Sequence, residues 1–135
     1  MPEGPEIRRS ADLVSDVLPG RRAERIFFAF PHLKAYEDDL AGRRVRSVES
    51  HGKAMLTSFT GGLHVYSHNQ LYGLWRTRPA VAAPLATRRS LRFAVHTRAG
   101  SALLYRASEI AVLDESGLQE HPYLKSLGPD VLASN

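Results

Sequence analysis

The first six residues of the chain contain a compact nucleophile with its own acid. If Met1 is removed, Pro2 becomes a secondary amine at the N-terminus. Because α-amino groups titrate at about 7.7–8.0, an unprotonated fraction is available near neutral pH. Such an amine attacks aldehyde-like carbons to give a Schiff base, and Glu3 could move the protons that imine formation requires. These residues therefore permit covalent amine chemistry.

The same opening also suits an ordinary helix start. Proline is common at the first helical position, because the N–H that it lacks would be unpaired there. Glu3 and Glu6 would interact favourably with the positive end of a helix dipole without any catalytic role. Short motifs match by chance often, so these six residues alone favour the structural interpretation. The rest of the chain is needed to choose between the catalytic and the structural interpretation.

The composition indicates one small domain without disulfides. At 135 residues the chain can bury a sizeable core. It contains no cysteine, which excludes disulfides and thiolate metal sites within it. Its six histidines show no ligand spacing tied to an acidic partner; His64 and His68 could share one strand face, but a solvated or structural role is favoured for them. No apolar run approaches the about 18 residues of a membrane span and no signal peptide pattern is present, so we expect a cytoplasmic protein.

The charge distribution favours an anionic partner. Lys and Arg number 18 against 14 Asp and Glu, a formal net charge of +4. Most of the positive residues are arginines, whose planar guanidinium groups suit phosphates. They cluster at Arg21, Arg22 and Arg25; Arg43, Arg44 and Arg46; Arg76 and Arg78; and Arg88, Arg89 and Arg92. Nucleic acid is therefore favoured modestly, since most surface arginines are solvated and contact nothing.

One helix and several short strands make up the predicted fold. Apolar residues recur at helical spacing over residues 5–18. From residue 22 onward, short strand patterns alternate with turn signals, of which Gly61-Gly62 is a clear hairpin signal. We predict a mostly β fold with flanking α, a two-layer antiparallel β-sandwich with a long N-terminal helix. Trp75 is expected among its core aromatics.

Residues that could act together in catalysis and binding occur at Pro2 and Glu3, at Lys53 and in residues 67–73. With their neighbours they resemble the formamidopyrimidine-DNA glycosylase family, and within it the bacterial endonuclease VIII branch. The matching segments are Pro-Glu-Gly-Pro-Glu-Ile-Arg-Arg, His-Gly-Lys-Ala-Met-Leu, Ser-His-Asn-Gln-Leu-Tyr-Gly-Leu-Trp, Leu-Leu-Tyr-Arg-Ala-Ser-Glu-Ile and Leu-Gly-Pro-Asp-Val-Leu. The resemblance covers residues 1–132, and the first and third segments are the specific ones.

The resemblance implies a bifunctional DNA glycosylase and abasic-site lyase of base excision repair that acts on oxidised pyrimidines. Pro2 would attack C1′ of the damaged nucleotide and displace the base, leaving a Schiff base. Glu3 would carry a proton to the opening sugar, and Glu6 would support that network. Lys53 would lie by the phosphate or serve as the acid in β-elimination, although a solvated lysine at a strand start is the simpler alternative.

The resemblance also implies DNA contacts. Chemistry on a base requires that the nucleotide leaves the stack, and Gln70, Leu71 and Tyr72 would form the wedge that fills the gap. The alternative is a turn at Asn69-Gln70 with Leu71 in the core and Tyr72 as an ordinary aromatic of the sandwich. Lys125 would be a further DNA contact.

The last residues resemble a connection to a second domain. We expect residues 1–122 to be the catalytic β-sandwich domain and residues 123–135 a linker toward a helix–two-turn–helix and zinc-finger domain. No cofactor or metal site is expected in this chain, and zinc is expected in that further domain. The expected partner is double-stranded DNA with oxidised bases or abasic sites, bound by a monomer at the bacterial nucleoid in the cytoplasm.

Two other functions stay open. While Met1 is present, the nitrogen of Pro2 is acylated and cannot attack a sugar, so the chain could be a DNA-damage-binding domain without catalytic activity. The other possibility is an unrelated sandwich with a basic surface. Only the enzyme predicts a covalent adduct with abasic DNA after borohydride reduction.

Overall fold

The computed structural model describes residues 4–68, 74–79, 90–107 and 109–126, and for residues 4–8 the backbone alone. The helices in these ranges are α1 (Gly4–Ser15), α2 (Tyr36–Leu40), α3 (Glu115–Glu120) and α4 (Pro122–Ser126), with a 3₁₀ turn at Pro31–Leu33. The strands are β1 (Arg25–Phe28), β2 (Val45–His51), β3 (Ala54–Phe59), β4 (Leu63–His68), β5 (Leu74–Pro79), β6 (Leu91–His96), β7 (Gly100–Tyr105) and β8 (Glu109–Leu113). None of the helices in these ranges is long and apolar enough to cross a membrane.

The strands form two antiparallel four-stranded sheets. The first sheet has the order β1-β6-β7-β5 and the second the order β2-β3-β4-β8. Side chains alternate between the faces of a strand, so one face of each sheet supplies the core between them. That core contains the large side chains of Phe28, Phe59, Trp75 and Phe93, and the rings of Phe28 and Phe93 stack at 5.0 Å. The predicted two-layer β-sandwich is confirmed, with Trp75 in its core.

The turns follow local sequence signals. Gly61 and Gly62, with φ of 90° and 80°, lie between β3 and β4, as the hairpin signal predicts. A bulge in β2 shifts its register with β3 between Val45 and Ser47. Gly100 opens β7 with φ of 149°, and a Cβ there would lie 2.5 Å from the carbonyl oxygen of Arg78. The first sheet therefore needs glycine at this position.

Helix α1 packs against β5, an edge strand of the first sheet, and against β2, an edge strand of the second sheet. The helix and the turn after it bury three apolar side chains in the core: Ala11, Val14 and Leu18. Thr97 Oγ1 donates to the carbonyl oxygen of Val17 at 3.1 Å, which holds the carboxyl end of the helix at the turn between β6 and β7. From there the helix runs back along β2 and β5, so Gly4 lies towards the opposite end of the sandwich.

The segment after β8 differs from the sequence prediction. Residues 114–122 suggest a polar connection, but α3 begins there because Asp114 Oδ1 accepts from the N–H of Gly117 at 2.7 Å, an N-cap. Leu118 of α3 and Leu124 of α4 pack on the outer face of the second sheet, against Ala54, Leu56 and Tyr66. Residues 122–126 are thus folded onto the sandwich, and the domain boundary at residue 122 stays a prediction.

Candidate active site

Lys53 occupies the second position of the tight turn between β2 and β3. His51 and Ala54 are register partners, so two residues, Gly52 and Lys53, connect the strands. Gly52 has a φ of 63°, whereas φ at Lys53 is not positive. This is the type II′ pattern, which favours glycine at the first turn position. The sequence Gly-Lys thus fixes Lys53, which is half-buried, at the tip of a hairpin.

The predicted wedge follows β4 in the sequence, and the last residue of β4 lies at the same end of the second sheet as Lys53. His68, the last residue of β4, pairs with Ala54, the residue after Lys53. Three predicted wedge residues follow His68 and lie outside the described residues: Gln70, Leu71 and Tyr72. The described chain resumes at Leu74, the first residue of β5. The Lys53 turn therefore lies beside His68, the last described residue before the predicted wedge, and the role of the wedge residues stays a prediction.

The amino-terminal end of α1 is directed towards this end of the sandwich. Gly4 is its first residue. Pro2 and Glu3 precede it and lie outside the described residues, and Glu6 lies in the first turn of the helix, where the backbone alone is described. The helix thus carries Gly4, two residues after Pro2, towards the Lys53 end. The roles of Pro2, Glu3 and Glu6 stay predictions.

Four aromatic rings pack together next to the Lys53 turn, and we refer to them as the ring cluster: Tyr66, His68, His121 and Tyr123. The ring centroids of Tyr66 and His121 are 4.1 Å apart, and those of His68 and Tyr123 are 4.7 Å apart with perpendicular planes. The hydroxyl oxygen of Tyr123 accepts a hydrogen bond from the backbone N–H of Lys53 at 2.8 Å. Tyr123 is not among the predicted site residues, because it lies in residues 123–135, for which the sequence predicts a linker. The apolar Leu124 beside it is the signal that this segment packs on the sheet.

Burial shapes the electrostatics of the ring cluster. Burial lowers the pKa of His68 below its ordinary value; the charge of Glu109 opposes this change, whereas those of Lys53 and His121 reinforce it. Burial also raises the pKa of Tyr66, and Glu109 and Tyr123 act in the same direction. His68 is therefore uncharged at neutral pH and places no second positive charge beside Lys53.

Lys125, the predicted DNA contact on α4, is exposed. Its backbone N–H donates to the carbonyl oxygen of His121 at 2.9 Å, which fixes it one turn after the ring cluster. Its side chain is free to reach a partner that approaches the outer side of α4, because α4 buries Leu124 and not Lys125 against the sheet. Contact between Lys125 and DNA stays a prediction.

Some of the clustered arginines hold loops of the protein together. Arg43 donates from Nε to the carbonyl oxygen of Asp39 at 2.6 Å and from Nη1 to that of Thr60 at 2.9 Å. Arg44 donates from Nη1 to the carbonyl oxygen of Gly20 at 2.8 Å. These guanidinium groups already use donors within the chain, so the cluster at residues 43–46 is in part structural.

A polar cleft of about 440 Å³ lies on the outer face of the second sheet. It contains two histidine–carboxylate pairs: Nε2 of His51 lies 3.4 Å from Oε1 of Glu49, and Nε2 of His64 lies 2.9 Å from Oε1 of Glu115. His64 is buried and held between strands and α3, in keeping with the structural role expected for it. Across the described ranges there is no group of three or more His, Cys, Asp or Glu that could hold a metal ion.

The chain belongs to the formamidopyrimidine-DNA glycosylase family, because residues 1–108 match the model of the formamidopyrimidine-DNA glycosylase N-terminal domain. Within the family, it is 49% identical over 132 residues to Endonuclease 8 of Pectobacterium atrosepticum, a match that covers 98% of this chain and 50% of that protein. It is 48% identical over 135 residues to Endonuclease 8 of Escherichia coli, which covers 100% of this chain and 51% of that protein. The predicted endonuclease VIII branch is confirmed.

Solved structures support the same fold. A complex of Lactococcus lactis Fpg with DNA containing N7-benzyl-Fapy-dG superposes with a TM-score of 0.75 over 93% of this chain and 48% of that chain. A complex of MutM with DNA containing carbocyclic 8-oxo-G gives the same TM-score and the same coverage. Both are 16% identical to this chain, so they show its fold and no more. The chain spans about half the length of the curated relatives it matches.

Proposed function

We propose that the protein that carries this chain is a bifunctional DNA glycosylase and abasic-site lyase that removes oxidised pyrimidines from double-stranded DNA. Membership of the formamidopyrimidine-DNA glycosylase family and the similarity to Endonuclease 8 proteins support this proposal. The solved complexes that share this fold hold DNA with a damaged base, and we therefore propose lesion-containing DNA as the partner. It acts as a monomer on the nucleoid in the bacterial cytoplasm.

In the proposed reaction the nitrogen of Pro2 bonds to C1′ while the bond from C1′ to the base breaks, and the base leaves with the proton that this nitrogen gives up. A proton from Glu3 goes to O4′ as the sugar ring opens, which leaves an iminium between Pro2 and C1′. Solvent water then takes the C2′ proton, and the bond between C3′ and its phosphate oxygen breaks. Lys53 acts on that leaving phosphate as acid or as positive charge.

The observation that carries the proposal is the position of Lys53. Its turn pairs through Ala54 with His68, the last described residue before the predicted wedge, and α1 directs Gly4 towards the same end of the sandwich. A nucleophile, an acid and a wedge have to meet around one nucleotide, because effective catalysis requires reacting groups held close together. The described residues next to the nucleophile, the acid and the wedge lie at one end of the fold. This chemistry needs such an arrangement.

Borohydride trapping tests the proposal. The full-length protein that carries this chain, with Pro2 freed of Met1 as checked by mass spectrometry, should form a covalent adduct with a duplex containing an abasic site. The control is the same chain with its N-terminus acetylated, which should form none because an amide nitrogen is not nucleophilic. Absence of an adduct from the free form would exclude the lyase. Lesion-dependent binding with a steep dependence on salt would then indicate the damage-binding domain instead.

A further inference from the structure

The peptide group that precedes Lys53 is held from outside its own hairpin. In a two-residue hairpin the turn residues lie beyond the last hydrogen-bonded strand pair, so the N–H of Lys53 needs another acceptor. The hydroxyl oxygen of Tyr123 is that acceptor at 2.8 Å. The two residues are 70 positions apart in the sequence. The contact therefore fixes the tip of the β2–β3 turn against α4.

Tyr123 is itself held firmly. Its ring stands perpendicular to that of His68 at 4.7 Å and lies 6.5 Å from that of Tyr66. The next residue, Leu124, is fully buried against the second sheet together with Leu118 of α3. Because its ring and the neighbouring Leu124 are packed in this way, the hydroxyl group of Tyr123 stays in place if the turn moves. It can therefore define one orientation of the turn peptide.

We propose that Tyr123 is a positioning residue that orients Lys53 for its part in the elimination step, an inference that rests on the function proposed above. The hydrogen bond sets the plane of the peptide between Gly52 and Lys53. That plane determines the direction in which the Cα–Cβ bond of Lys53 leaves the backbone. Because a displacement of about 1 Å can cost a reaction about 100-fold, control of this direction matters for a lysine that acts on one phosphate.

The ring cluster provides a matched pair of variants. Tyr123→Phe keeps the ring that packs on His68 and removes the hydroxyl that binds Lys53. Tyr66→Phe makes the same chemical change one ring away, at a buried hydroxyl that has no hydrogen-bond partner within the described part of the chain. Each variant of the full chain is assayed for adduct yield with borohydride, for the rate of strand cleavage at an abasic site, for its pH profile and for amide hydrogen exchange at Lys53.

We expect Tyr123→Phe to slow strand cleavage about three- to tenfold, since one hydrogen bond is worth about 1 kcal/mol, while the adduct yield at saturation is unchanged. The pH profile of strand cleavage should keep its wild-type shape, because Tyr123→Phe replaces none of the groups in the proposed proton transfers. Exchange of the Lys53 amide should accelerate about tenfold, given the same bond energy. Tyr66→Phe should match the wild type in cleavage rate, pH profile and exchange at Lys53.

The outcomes separate the two proposals. If the wild type forms an adduct and Tyr123→Phe cleaves at the wild-type rate, the positioning role is wrong and the proposed function stands. A loss of adduct in parallel with cleavage and with thermal stability would mean that Tyr123 is merely structural. If the wild type forms no adduct, the proposed function itself fails, whatever the exchange at Lys53 shows.

Discussion

His64 of β4 and Glu115 of α3 are joined across the outer face of the second sheet, with Nε2 of His64 2.9 Å from Oε1 of Glu115. The other ring nitrogen, Nδ1, lies 2.7 Å from the hydroxyl oxygen of Ser58. All three groups are satisfied when Nε2–H donates to the carboxylate and the hydroxyl of Ser58 donates to Nδ1. The imidazole is buried, whereas the side chain of Glu115 is 68% exposed. The bond to Ser58 should therefore contribute more to stability than the bond to Glu115.

Ser58→Ala should lower the free energy of unfolding by about 1–3 kcal/mol, because it leaves a buried ring nitrogen without its donor. Glu115→Gln should cost less than about 0.5 kcal/mol, since its amide oxygen still accepts from Nε2 in an exposed position. Urea unfolding of both variants measures the difference. Ser67→Ala is the matched control: Ser67 is also buried, but its hydroxyl makes a long bond of 3.4 Å to the carbonyl oxygen of Met55. Equal losses at residues 58 and 67 would contradict the assignment.

His68 should make the folded state sensitive to acid. Burial lowers its pKa, Lys53 and His121 act in the same direction and Glu109 opposes them, while the ring of Tyr123 packs against it. Below about pH 6.5, the ordinary value of histidine, the unfolded chain binds a proton that the folded chain excludes. Stability is thus lost as the pH falls from that value to the lower folded value, and it rises with pH over the same interval.

The test of this prediction compares the pH dependence of stability between variants. His68→Gln should lose less unfolding free energy between pH 7.5 and pH 5 than the wild type does, since its residue 68 does not titrate. The wild type, measured in parallel under the same conditions, is the reference. Thermal or urea unfolding at several pH values measures both. An unchanged slope in His68→Gln would assign the acid sensitivity to other groups.

Local patterns predicted the sandwich well. The hairpin at Gly61-Gly62 follows from turn chemistry, which depends on adjacent residues. Trp75 lies in the core because a large aromatic on a strand is most often buried there. Each of these features depends on a few neighbouring residues, so it can be predicted without knowing which distant residues pack against it.

The features that the sequence did not reveal depend on distant partners. The Tyr123 hydroxyl meets the N–H of Lys53 from 70 positions away, and no local pattern indicates which backbone group a tyrosine will bind. The helices α3 and α4 have few residues and polar surroundings, so they resemble a connection until their leucines are seen against Tyr66. Tertiary packing, not helix propensity, stabilises segments this short.

Gly100→Ala should destabilise the protein more than Gly20→Ala does. Both glycines have positive φ, 149° and 79°, so both alanines are strained. A Cβ at Gly100 would in addition lie 2.5 Å from the backbone oxygen of Arg78, whereas a Cβ at Gly20 meets nothing within 4 Å. We expect a loss of about 1 kcal/mol at residue 20 and about 2–4 kcal/mol at residue 100, where overpacking adds to strain. Equal losses in urea unfolding would show that β7 can shift away from β5.

Lys125→Gln tests whether α4 takes part in the proposed DNA interface. Each phosphate contact contributes about 0.9 to the slope of log K against log salt on duplex DNA. If Lys125 contacts one phosphate, its replacement by glutamine should make the slope shallower by about 0.9 and weaken binding to all duplex sequences alike. Lys34→Gln is the matched control, because Lys34 is also exposed but pairs with Glu37 at 3.3 Å beside β1. Titration of a fluorescent duplex from 50 to 200 mM salt, about the range over which such effects are large, measures both slopes. A slope that changes equally in the two variants would mean that the long-range charge of the protein, and no contact at α4, determines the effect of Lys125.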